Sequence, residues 1–406
     1  MTSYEISQLP AMPAPAAGDL AVVVDVSDTT TPPAGPGGSN KQLTVAGLGQ
    51  GIAGAHASHA QYWQSLLASR HYQPLAIGCI GDSFTSGNNP GLTQWIQTWP
   101  LVLANMVTAR YPVVGLTTYG RGCLPPSGNA GVTLPYVTVS GAGTPLAVNG
   151  YGFNYATYDI SHAGGCTLTY TVEGDNFIIC YATQPGGGTF SWKLDSGSVT
   201  NVSTSGGSVS DTGIIFIGPV TAGSHTITIT WVSGGATWID GVLEYNGDLS
   251  AGAQFYNMGW SDSTAANWAG WNPSMFASIY PNAAIIEVGA ADWLAGTSPT
   301  TYQSNLNTLI SNINAKVPSP ISYLLCAPPQ PLGTPVSGSY TWQEYVDVMY
   351  AVSAANTNVD IIDFTLRMPV ADGAGGPYGL YTSGGELTNY AHALVADTLC
   401  TFLGPQ

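Results

Sequence analysis

The strongest constraint on the fold of this chain is an interruption. From about residue 131 to residue 247 helical periodicity is almost absent, and apolar residues alternate instead in short runs at 167–172, 177–182, 189–194, 214–217 and 224–232. Clusters of turn residues separate these runs about every ten positions, the pattern of a β-sandwich. On either side of the interruption strands and helices take turns. Before it come a helical stretch over 61–70, a strand over 75–80, a Trp-containing helical stretch ending at Arg110 and a strand over 113–119. After it, strands at 254–257, 284–288, 321–326 and 359–364 interleave with helices at 265–271, 303–317, 342–357 and 392–402. Such alternation predicts a parallel sheet with helices on both faces, whose ligands bind beyond the carboxyl ends of the strands. The predicted fold class is therefore α/β, a three-layer α/β/α parallel sheet interrupted by an inserted all-β sandwich.

Composition narrows the function classes. The chain has 406 residues, a net charge of −16 and only 7% charged residues, against about 25% in ordinary soluble domains. With so few cations it cannot neutralise a phosphate backbone or hold an anionic bilayer, so neither nucleic acid nor membrane is an expected partner. The start lacks the basic and apolar regions of a secretory signal, and no long apolar run suited to membrane insertion occurs elsewhere. The six cysteines Cys79, Cys123, Cys166, Cys180, Cys326 and Cys400 show no zinc-ligand spacing and are expected as buried, reduced thiols. His56 and His59 form an H-x-x-H pair without a third ligand nearby, so no metal site and no cofactor is expected.

Three loops at predicted strand ends carry residues suited to chemistry: Gly81-Asp82-Ser83, Gly289-Ala290-Ala291-Asp292, and Asn389-Tyr390-Ala391-His392 ahead of the last helix. A serine at a strand's carboxyl end presents its hydroxyl to the cleft, with backbone N–H groups close enough to stabilise an oxyanion. On these blocks the chain resembles the SGNH (GDSL-type) hydrolases, over residues 72–125 and 247–404. The resemblance implies a metal-free ester hydrolase with Ser83 as nucleophile and oxyanion donor and His392 as general base. Three departures accompany it. Asn389 stands where the family's D-x-x-H block has Asp, although an amide can still orient a histidine. Ala291 replaces the Asn that donates into the oxyanion hole, a loss worth about 2.7–4 kcal/mol of barrier. In the block 257–264 the family's oxyanion glycine falls at Asp262; a shifted alignment makes Gly259 the donor, and Gly120 and Gly122 are further alternatives. Asp292 and Asp363 are candidates for a substitute acid beside His392, or for turn and capping roles.

The interrupting segment resembles the carbohydrate-binding-type jelly rolls inserted in some SGNH esterases, through the blocks at 174–177, 192–195, 223–227 and 238–242. Tyr181, Trp192, Trp231 and Trp238 could stack on sugars, but aromatics alternating along strands also read as core, so none is assigned to a site. The first 50 residues read as two short strands around a turn and resemble the leader segments of bacteriophage tail proteins. The expected organisation is a leader for tail attachment or oligomerisation (1–55), a first α/β part (56–125), the inserted sandwich (126–247) and a second α/β part (248–406). Together these resemblances imply a virion tail protein that deacylates a host cell-surface glycan. Its implied partners are that glycan, other tail proteins and further copies of itself, trimers being common among such proteins. Two alternatives stand beside it: a receptor-binding or structural tail protein with a degenerate hydrolase fold, and a secreted bacterial esterase encoded without its signal peptide.

Overall fold

The computed structural model describes residues 20–25, 39–44, 57–87, 97–113, 122–126, 134–141, 144–145, 150–161, 164–247, 251–336, 340–371 and 378–404. Most of the strand expected at 113–119, together with Gly120, His56 and the side chain of His59, lies outside them. Residues 1–60 and 61–406 are separate units. In the first, β1 (Leu20–Asp25) and β2 (Ser39–Thr44) pair antiparallel, Leu20 opposite Thr44, forming the two short strands expected of the leader.

α1 (Ala57–Ala68, with side chains described from Tyr62 onward) leads into the second unit, followed by β3 (Leu75–Gly81), α2 (Ser83–Ser86) and α3 (Trp99–Arg110). The chain then enters the interruption: β4 (Gly122–Leu124), β5 (Val137–Gly141), β6 (Thr144–Pro145), β7 (Tyr158–Asp159), β8 (Cys166–Gly174), β9 (Asn176–Thr183), β10 (Thr189–Leu194), β11 (Thr200–Ser203), β12 (Ser210–Ile217), β13 (Gly223–Ser233) and β14 (Trp238–Tyr245). It returns through β15 (Ala253–Asn257), α4 (Ala265–Ala269), α5 (Ser274–Ser278), β16 (Ala283–Glu287), α6 (Ala290–Ala295), α7 (Pro299–Lys316), β17 (Ser322–Ala327), α8 (Trp342–Ala355), β18 (Val359–Asp363) and α9 (Asn389–Leu403).

Five strands make one wholly parallel sheet in the order β15-β3-β16-β17-β18. Its two faces bury different sets of residues, because side chains alternate along a strand. Leu75, Ile77 and Cys79 of β3 pack with Trp63 of α1, Leu103 and Val107 of α3 and Leu399 of α9. Ala76 and Ile80 face the other way, toward Trp268, Phe276, Leu306 and Val352 of α4, α5, α7 and α8. That is the three-layer arrangement expected from the alternation of elements. Gly78 is small of necessity, since a Cβ there would lie 2.7 Å from the Phe276 ring.

The interruption folds as two antiparallel sheets, β11-β10-β13-β8-β5 and β12-β9-β14-β7-β6, with β4 also paired to β14. Between them lies a core of Leu168, Tyr170, Phe190, Ile227, Ile229, Ile179 and Val242. The opposite face of β9 and β14 is buried as well: Ile178, Cys180 and Leu243 join the α/β core beside Tyr256 and Met258. This accounts for the continuous apolar run in β9, because a strand covered on both faces has no solvent side to keep polar. Trp192 and Trp231 pack against the sandwich core, and the ring of Tyr181 meets that of Phe190 edge-on, so these aromatics serve packing. All six cysteines are buried thiols outside any disulfide.

Candidate active site

The site lies where the sheet's strand order reverses. After β3 the chain passes to β15 on one side and later to β16 on the other, and loops leaving such a switch point in opposite directions open a crevice at the carboxyl ends. Ser83 sits directly above that point, half-buried, as the first residue of α2. Gly81 precedes it because no side chain fits: a Cβ would lie 2.0 Å from Thr85 Oγ1 and 2.6 Å from the Glu287 carbonyl oxygen. Asp82 caps the short helix, its Oδ1 accepting the Phe84 N–H at 3.1 Å.

Two neighbouring loops are stitched to this turn. From β16, Glu287 accepts the Asp82 N–H on its carbonyl at 3.1 Å and the Thr85 hydroxyl on Oε2 at 2.8 Å. From β15, Asn257 Nδ2 donates to the Thr85 carbonyl at 3.1 Å and to Thr98 Oγ1 at 3.0 Å. Beyond it, the Trp260 N–H at 2.9 Å and the Ser263 hydroxyl at 3.2 Å both donate to the Gly81 carbonyl. Asp262 lies in this loop, exposed, with φ +58°. That left-handed conformation is one that glycine adopts most readily. Its carboxylate acts on both Asp82 and Glu386, raising the pKa of each. Gly259 is not a free donor, as the shifted alignment required. Its N–H is spent on Asn257 Oδ1 at 2.9 Å, and its Cα is pressed against α2, where a Cβ would be 2.3 Å from the Ser86 nitrogen. Gly122 likewise is a strand residue of β4, paired with Glu244. Neither the Ser83 nor the Asp262 N–H donates a hydrogen bond to another described residue.

The carboxyl on which the Ser83 hydroxyl acts is that of Glu386, whose pKa it lowers, and the hydrogen bond of His392 leads to α3 instead. Glu386 ends a tight turn that closes on Thr382. The Thr382 N–H donates to the Glu386 carbonyl at 2.8 Å, and Thr382 Oγ1 accepts the N–H groups of Gly384 and Glu386, both at 3.2 Å. Burial, then the charges of Asp82 and Asp262, push the Glu386 carboxyl up to about 8, against a smaller opposing contribution from the Ser83 hydrogen bond. His392, by contrast, is only 1% exposed inside the packing of α9 on α3. Its Nδ1 accepts the Trp99 N–H at 3.2 Å, satisfying one of the donors left open at the start of α3. An Nδ1 that accepts leaves the proton of the neutral ring on Nε2. Burial holds the imidazole down to about 3, with no charged partner contributing.

The other residues expected to support His392 are elsewhere. Asn389 is exposed on the first turn of α9, and no hydrogen bond between described residues joins it to His392. Asp292 is buried, and its Oδ2 accepts the Ala265 N–H at 2.7 Å, tying α6 to the start of α4. Burial raises its pKa to about 6, and it adds no charge at His392. Asp363 accepts the Thr365 N–H at 2.8 Å and the Tyr350 hydroxyl at 3.1 Å, a capping role. Glu386 was not legible in the sequence. Its only local signal is negative: Ser383-Gly384-Gly385-Glu386 carries neither residue of the D-x-x-H pattern and reads as a turn. Among the described residues no cluster of His, Cys, Asp and Glu could hold a metal ion. A larger cavity of about 400 Å³ opens at the opposite, amino end of the sheet, between Leu75, Gln254, Ile214 and Tyr280; no charged side chain lines it.

No family model and no curated protein matches the chain. Among solved structures it is similar to a peptidoglycan O-acetylesterase at 15% identity and a TM-score of 0.61, over 85% of this chain and 94% of that one. It also matches a putative lipolytic protein of the G-D-S-L family from Desulfitobacterium hafniense (12% identity, 80% and 98% covered, TM-score 0.38). A family two carbohydrate esterase from Cellvibrio japonicus follows (14%, 69% and 96%, TM-score 0.27). The first of these shows a shared fold, an α/β architecture with a parallel sheet; the other two superpose too loosely to add to it.

Proposed function

We propose that this chain is an SGNH-type serine ester hydrolase that removes acyl groups from a host cell-surface glycan as part of a bacteriophage tail. The observation that carries the chemical reading is the half-buried Ser83 on the tight turn at the switch point of the sheet, with the Glu386 carboxyl near enough for the serine hydroxyl to act on it. The glycan substrate is suggested by the fold shared with an enzyme that deacetylates peptidoglycan, and by the resemblance of the sandwich to carbohydrate-binding jelly rolls. The tail assignment rests on the leader.

In this reading Glu386 takes the histidine's part. Its ionised form accepts the Ser83 proton as Oγ attacks the ester carbonyl, and the neutral carboxyl then returns that proton to the departing sugar oxygen. The acyl-serine is hydrolysed by water activated the same way. A base poised near 8 is strong enough to abstract the proton, but only about a tenth of it is ionised at pH 7. The N–H groups of Ser83 and Asp262 are the donors available to the oxyanion. No amide replaces the one lost at Ala291, and the acidic surroundings disfavour anionic substrates, so a neutral acyl ester is the expected class.

A second reading, a receptor-binding tail protein with a silent hydrolase fold, is favoured by one feature: the Asp262 carboxylate lies where developing negative charge must be stabilised. Incubating the purified chain with a short-chain nitrophenyl ester and with a serine-directed fluorophosphonate separates the two. Turnover with labelling of Ser83 supports the hydrolase. No turnover and no labelling between pH 6 and 9 leaves the receptor-binding reading.

A further inference from the structure

We infer that Asp82 and Glu287, at the ends of adjacent strands beneath Ser83, hold one proton between them and work as a single acid–carboxylate unit that positions the serine turn.

The two side chains are 1% and 4% exposed. Each spends one oxygen on a defined donor, Asp82 Oδ1 on the Phe84 N–H and Glu287 Oε2 on the Thr85 hydroxyl. The remaining oxygens, Asp82 Oδ2 and Glu287 Oε1, have no donor. Among the described residues no group is placed to supply one. The small cavity beside Glu287, about 20 Å³, is otherwise lined by apolar side chains including Phe84, Trp99, Phe364, Leu387 and Val395 and by the Cys326 thiol. The charged or titratable groups around the pair are Asp262 from the loop after β15, Asp292 on α6, Tyr302 on α7, Cys326 on β17 and Glu386 before α9, none of them a cation. Two ionised carboxylates buried together without a cation cost several kcal/mol, and the group neutralises instead. Because the two carboxyls act directly on one another, one proton turns two orphan acceptors into a donor and an acceptor.

This joins three elements at the nucleophile: the end of β3, the end of β16 and the first turn of α2. It also sets the charge beneath Glu386, since Asp82 is the largest charge acting there. Only that last consequence rests on reading Ser83 and Glu386 as the reactive pair.

The test is infrared spectroscopy of the full chain at pH 7, comparing wild type with Glu287→Gln and Asp82→Asn. Each variant replaces the shared proton by an amide donor and keeps the neighbouring bonds. A shared proton predicts that the difference spectrum loses a carboxylic-acid C=O band in either variant, and that Glu386→Gln leaves that band in place. Absence of such a band from both differences overturns the inference, whether or not Ser83 reacts. The second arm follows fluorophosphonate labelling against pH. Asp82→Asn moves the midpoint about one unit lower by removing the charge nearest Glu386, while Glu287→Gln, which leaves that charge on Asp82, moves it little. A downward shift of equal size in both variants contradicts a unit with one fixed charge. A wild type that never labels defeats the catalytic reading, and the infrared result still decides the inference.

Discussion

The turn Thr382–Glu386 and the first turn of α9 lie side by side in the chain, and each carries a titratable residue shifted by burial. Their shifts run in opposite chemical senses: Glu386 is pushed up to about 8, and His392 down to about 3. Both shifts favour the neutral form, because burial penalises whichever form carries charge. What separates them is their surroundings. Glu386 is half-buried and acted on by the Ser83 hydroxyl, whereas His392 lies between two helices and satisfies a backbone donor. A histidine is a better base than a glutamate in water, yet here the better-placed residue is the acid. Placement relative to the nucleophile outranks residue type.

The comparison breaks first at Ser83. Ser83→Ala is expected to abolish fluorophosphonate labelling and ester turnover entirely while the far-ultraviolet circular dichroism stays unchanged; residual labelling elsewhere would place the nucleophile wrongly. Next, Glu386→Gln should lower kcat/KM by about 10²–10⁴-fold, the usual contribution of a positioned base. In wild type kcat/KM should climb about tenfold per pH unit up to about pH 8 and then level off. A plateau already reached at pH 5, or a Glu386→Gln variant as fast as wild type, would return the role of base to another group.

His392 sharpens the contrast from the other side. His392→Leu should cost about 1–3 kcal/mol of stability, from the unpaired Trp99 N–H, with labelling of Ser83 preserved; chemical denaturation and labelling on the same sample test both halves. The sign of its pH dependence follows from a folded pKa depressed below the ordinary 6.5. Its stabilising contribution is complete above about 6.5 and is lost as the pH falls toward 3. Glu386 behaves in the reverse way: raised from 4.5 to about 8, it contributes below about 4.5 and loses that contribution as pH rises through 8. Glu386→Gln should therefore flatten the alkaline side of the Tm profile, and His392→Leu the acid side.

The smallest effect is expected in the sandwich, where Asp211 and Asp240 form a second buried carboxyl pair. Burial raises both, and the Asp211 charge raises Asp240 further, so Asp240→Asn should gain Tm relative to wild type as pH rises from 6 to 9, with kcat/KM unchanged. A change in labelling would tie the sandwich to the active site.

Much of the architecture was legible because its signals are local. Alternating and continuous apolar runs announced β3, β8, β9, β13 and β15 to within a few residues, and the return of helical periodicity after residue 247 marked the second half of the α/β layer. The Gly-Asp-Ser triplet was legible for a steric reason now visible, that Gly81 must leave room for Thr85 and the Glu287 carbonyl. The partner of Ser83 was not. A D-x-x-H pattern with Asn389 in first place points to His392 because the histidine is present, while Glu386 sits in a Gly-Gly turn that carries neither residue of that pattern.

The order of residues alone therefore determined which segments become strands and helices, where the sandwich interrupts them, and that a serine follows the first strand of the sheet. Periodicity and turn chemistry act over a few neighbouring positions, and the chain carries them wherever it goes. Tertiary structure decided which distant side chain meets that serine, which backbone N–H groups remain unspent, and that Asp82 and Glu287 are buried against each other with one donor too few. Those outcomes depend on contacts across some 200 to 300 residues of chain, and on how much water each group keeps; no local pattern encodes either.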